Sequence, residues 1–74
     1  MGEGVHVQQL MGIGTRFDLA GKGEARVSVV VHKDGHRELY VFEDRGETPT
    51  AVITLTEEQA RLLGAVISGT YISS

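Results

Sequence analysis

Apolar and polar positions alternate with a period of two over most of the first 55 residues, and with a helical period afterwards. Val5 to Leu10 alternates as a strand. Thr15 to Leu19 does the same, with Phe17 and Leu19 on one face and Arg16 and Asp18 on the other. Ala20-Gly21-Lys22-Gly23-Glu24 reads as a turn. Residues 26–32 and 37–42 form two more strands around His32-Lys33-Asp34-Gly35-His36, the strongest local signal in the chain. Two registers are open to this hairpin. A two-residue turn at Asp34-Gly35 pairs Val31 with Glu38 and mixes a carboxylate into the valine row. A type I turn at Lys33-Asp34, with Gly35 left-handed, shifts the pairing by one residue. The second register places Val27, Val29, Val31, Leu39 and Val41 on one face. Ser28, Val30, His32, Glu38, Tyr40 and Phe42 then take the other. A one-residue slip flips a strand's side chains relative to its partner, so the bulged turn is expected for its cleaner partition.

After a polar loop at 43–49, residues 51–55 make a fifth strand. Thr56-Glu57-Glu58-Gln59 is a capping box, with two glutamates at the positive end of the helix dipole. A helix over about 57–68 follows. Its stripe is Ala60, Leu63, Val66 and Ile67, with Leu62 beside it, and Gly69 is its stop. Gly64 costs this helix roughly 1 kcal/mol relative to Ala, and close packing of helix on sheet is the expected reason for it. Thr70 to Ser74 reads as a short strand or the start of a linker. The expected fold is α+β: one domain, residues 1–74, with a small antiparallel sheet of four to five strands, a central hairpin and one C-terminal helix packed on it. Val30, Tyr40 and Phe42 leave the second face partly apolar. A sheet that needs cover on both sides, in a chain with one helix, points to a second subunit or another domain.

Composition narrows the function. A chain of 74 residues buries only about 60% of its unfolded surface, and without cysteine it has neither a disulfide nor a thiolate metal site to add stability. Seven Lys+Arg against ten Asp+Glu give a net charge of −3, which argues against nucleic-acid binding. No apolar run approaches the ~18 residues of a membrane span, so no direct membrane insertion is expected. Met1-Gly2-Glu3-Gly4 lacks the charge and apolar stretch of a leader, and a cytoplasmic protein is expected.

Gly12-Ile13-Gly14 invites a phosphate-loop reading and fails it. A phosphate cradle needs a glycine turn that opens a helix, whereas the residues after Gly14 alternate like a strand, position 17 is Phe17, and no P-loop lysine follows. His32 and His36 flank the hairpin turn, where two imidazoles could hold a metal or titrate as a pH switch. No third ligand is evident, although Asp34 or Glu38 could be recruited. No nucleophile or paired carboxylate stands out for catalysis, and neither an enzyme nor a cofactor is expected.

Three stretches do carry a resemblance. Gln9-Leu10-Met11-Gly12-Ile13-Gly14-Thr15-Arg16-Phe17 resembles the L-P-G-I-G-x-[KR]-[FY] opening of bacterial cation/proton antiporter regulatory subunits of the KhtT/AmhT type, departing from it at Met11, where the family has proline. Residues 29–40 are similar to the family's central hairpin, and Leu55-Thr56-Glu57-Glu58-Gln59-Ala60 to its L-T-x-E-E-A helix start. The resemblance implies a regulatory module that precedes a TrkA-C domain, the domain that binds a nucleotide effector. It implies a subunit peripheral to the inner face of the membrane, partnered by a potassium or other monovalent cation/proton antiporter and by a second copy of itself. The motif and candidate interaction positions are Gly12, Gly14, Arg16, His32, Gly35, His36 and Arg37. The alternative from another class is a free-standing ligand or metal module built on the His32/His36 hairpin.

Overall fold

A computed structural model describes residues 4–72. The leader reading at Met1 to Glu3 and the end of the 70–74 stretch, Ser73-Ser74, lie outside the described residues. Strands β1 (Val5–Leu10), β2 (Gly14–Ala20), β3 (Arg26–His32), β4 (Arg37–Phe42) and β5 (Ala51–Leu55) precede helix α1 (Glu57–Ser68). The strands form one sheet in the order β1-β2-β3-β4-β5, each antiparallel to its neighbours. β2 is one residue longer at each end than alternation indicates, because Gly14 pairs with both Leu10 and His32 and Ala20 pairs with Arg26.

The hairpin adopts the bulged register. Val31 pairs with Arg37, the Gly35 amide donates to the His32 carbonyl at 2.9 Å, and Gly35 has φ +102°. This divides the sheet as expected. Phe17, Val29, Leu39 and Ile53 share one row of the valine face, while Arg16, Val30 and Glu38 share a row of the other.

The core does not sit on the valine face. Among the described residues Val30 (8% exposed), Phe42 (7%) and Ser28 (4%) are the buried ones, and all three belong to the second face. There, side chains of β1 to β4 and the 43–50 loop surround a cavity of about 340 Å³, with Leu10, Val30, Phe42 and Pro49 among its walls. The loop is held over this face by Arg26, which donates to the Gly46 carbonyl and lies 4.3 Å above the Phe42 ring.

α1 forms as the sequence indicates. Thr56 and Gln59 make both hydrogen bonds of the capping box, and Gly69 closes the helix at φ +80°. Its packing departs from expectation. α1 meets the sheet at β5, no residue of it is buried, and Leu62, Leu63, Val66 and Ile67 are all exposed. A Cβ added at Gly64 would touch nothing within 4 Å, so close packing within this chain is not what places a glycine there. Helical periodicity reports that a stripe is apolar; it does not report which surface covers it. Thr70 to Ile72 form no strand.

Candidate functional site

Six of the seven motif positions gather at one end of the sheet. Since β2 and β3 are neighbours, the turn entering β2 and the turn leaving β3 lie side by side, and the Lys33 amide donates to the Ile13 carbonyl at 3.0 Å. β5 runs toward the same end, with Leu55 opposite Arg37. There Glu57 Oε1 lies 3.4 Å from the point a Cβ on residue 35 would occupy. Gly12, Gly14, His32, Gly35, His36 and Arg37 are thus brought together. Arg16 is not among them. It lies further along β2, on the buried face, whereas Arg37 occupies the valine face. The two arginines therefore form no common basic surface.

The glycines serve backbone geometry. Ile13 donates to the Leu10 carbonyl at 2.9 Å, closing a four-residue turn with Gly12 at its third position and φ +77°. At Gly14 an added Cβ would come within 1.9 Å of the Val31 carbonyl oxygen, so only glycine permits β3 to approach this corner. A strand, not a helix, follows the turn. The corner exposes two apolar side chains, Met11 at 97% and Ile13 at 48%.

The hairpin histidines do meet. Their rings stack with centroids 4.0 Å apart and planes 9° from parallel. His32 Nε2 lies 2.8 Å from Glu38 Oε1, which also accepts from the Tyr40 hydroxyl at 3.1 Å. His36 Nδ1 lies 2.5 Å from Asp34 Oδ1, an oxygen that also accepts from the His36 amide. The His32 ring, opposed by partial desolvation and helped by Tyr40, holds the Glu38 carboxyl below its ordinary range. The His36 amide and then its ring do the same for Asp34. Each imidazole is thus matched to its own carboxylate. Among the described residues no three His, Cys, Asp or Glu side chains converge on a point where a metal ion would sit.

A second polar cluster was not legible in the sequence. Asp18 Oδ1 accepts from Ser28 Oγ at 2.5 Å and from Arg16 Nε at 2.8 Å, and Oδ2 lies 3.4 Å from His6 Nδ1. Desolvation works against the ionised form, but Ser28, Arg16 and His6 together outweigh it and lower the Asp18 pKa. Alternation marks Asp18 only as a polar position on β2. The signal that finds the cluster is the register, which sets His6, Asp18 and Ser28 in one row across three strands.

Residues 4–71, spanning all six elements, match the family model for the N-terminal domain of the K(+)/H(+) antiporter subunit KhtT. The chain belongs to the KhtT N-terminal domain family. Among curated relatives, the K(+)/H(+) antiporter subunit KhtT of Bacillus subtilis (strain 168) is 33% identical over 61 residues, which cover 81% of this chain and 37% of that protein. The uncharacterized protein YrvC of the same organism is 30% identical over 66 residues, 88% of this chain and 40% of the relative. The chain thus spans about two-fifths of the length of the relatives it matches. The family name is that of an antiporter subunit, not of an enzyme. Among the described residues no helix is long and apolar enough to cross a membrane.

Proposed function

We propose that this domain is a non-catalytic regulatory module that docks on the cytoplasmic side of a membrane potassium, or other monovalent cation, proton antiporter and modulates it. In this reading the domain works as a homodimer and passes on the state of a nucleotide-binding TrkA-C domain. The observation that carries the proposal is the match of all six elements to the N-terminal domain of an antiporter subunit. The two-turn end supports it and supplies the docking surface. Met11 and Ile13 stand out from a corner tied to the β3–β4 turn by the Lys33–Ile13 hydrogen bond; the stacked histidines border that turn, and Arg37 follows it on β4. Exposed apolar side chains on a rigid frame, ringed by polar groups, are the anatomy of a protein contact.

The test pairs the full-length chain with its antiporter in proteoliposomes. Met11→Asp and Arg37→Glu alter exposed or half-exposed side chains and leave the Asp18 cluster intact. Each is expected to reduce co-purification with the transporter at least tenfold and to uncouple cation/proton exchange from the regulatory chain, with circular dichroism unchanged. Wild-type binding and transport in both variants would overturn the docking surface.

A further inference from the structure

The valine face is apolar at every position except Gln9, Thr15 and Arg37, yet none of its residues is buried. α1 carries a second apolar surface, Leu62, Leu63, Val66 and Ile67, the last 75% exposed. One chain thus presents a sheet lacking a helix and a helix lacking a sheet, and the two do not cover each other. The dimensions agree. The radius of gyration is 13.1 Å, against about 11 Å for a compact chain of this length. The accessible surface is 5697 Å², against roughly 4,450 Å² for a folded chain of 8.0 kDa. The excess, on the order of 1,200 Å², exceeds the ~800 Å² that each partner buries in a standard interface.

We propose that α1 of each copy lies across the valine face of a second copy, so that the domain completes its core as an exchanged dimer. Both halves of the contact are present in one sequence, which is what a two-fold interface requires: helix on face and face on helix, each made twice. The connection favours exchange over folding back, since the single residue Thr56, fixed as the N-cap, separates β5 from α1. A helix of 12 residues is marginal in water without a surface to pack on.

The inference rests on the homodimer part of the function proposed above; it shares with the antiporter surface only Arg37, at the end of the valine face, and neither Met11 nor Ile13. The 74 residues contain no cysteine, so Val29→Cys and Val66→Cys are introduced into separately tagged copies of the full-length chain. The copies are mixed and treated with a short bismaleimide, and linked peptides are mapped by mass spectrometry. The expected product joins position 29 of one copy to position 66 of the other. Adding Ile67→Asp, which alters a side chain exposed in the single copy, is expected to reduce its yield at least tenfold with helix content retained. Only 29-to-29 links, only 66-to-66 links, or no link between copies would each overturn the exchange. Co-purification with the antiporter, measured on the same proteins, separates the two proposals: binding kept without the 29-to-66 link removes the exchange alone, and the link kept without binding removes the docking surface alone.

Discussion

At Gly14 and Gly12 the same substitution has different consequences. Both residues have positive φ, but a Cβ at Gly12 points into open space whereas one at Gly14 collides with the Val31 carbonyl. Gly12→Ala is therefore expected to cost about 1 kcal/mol, the penalty for a left-handed non-glycine residue. Gly14→Ala is expected to cost about 3 kcal/mol or more, because β3 must move. Urea unfolding of the two variants measures the difference. Asp18 is the other residue whose surroundings decide its behaviour. Its carboxyl titrates below the ordinary value of 3.8, so its contribution to stability is complete above that value and is lost as pH falls through the lower, folded value. Asp18→Asn is expected to be less stable than wild type at pH 7, and to lose less further stability between about pH 4 and pH 2. Urea midpoints across that range provide the check. Neither effect was legible in the sequence, since each depends on an atom from another strand.

Among the elements, local chemistry was sufficient for position and type. The hairpin register follows from the Lys33-Asp34-Gly35 turn together with the clean partition of faces it produces, and Val31 pairs with Arg37 accordingly. The start of α1 follows from Thr56 and Gln59, which satisfy each other's backbone amides. Because α1 buries none of its residues in a single copy, its stability leans on this cap more than a packed helix would. Thr56→Ala is expected to remove about 1 kcal/mol and to melt a visible fraction of the helix at low protein concentration, read as loss of ellipticity at 222 nm. The ends of β2 were less legible. Alternation stops where side chains stop, but pairing of Gly14 and Ala20 continues through the backbone.

For the whole molecule, the sequence by itself determined the five strands, the helix, their limits to within a residue, the division of the sheet into two faces, and the family. The elements and faces follow from periodicity, turn chemistry or capping, interactions that span a few residues, and the family from the resemblance of three motif stretches. Only the tertiary structure decided which face holds the core, that α1 leaves the valine face uncovered, that Arg16 and Arg37 are on opposite sides, and that His6, Asp18 and Ser28 share one row. Alternation distinguishes the two sides of a strand but is blind to what lies above either side. The 43–50 loop and the Arg26–Phe42 contact close over the face that the pattern marks as the more polar one. Burial depends on the path of the chain through space, and that path brings together residues whose separation in sequence carries no periodic signal.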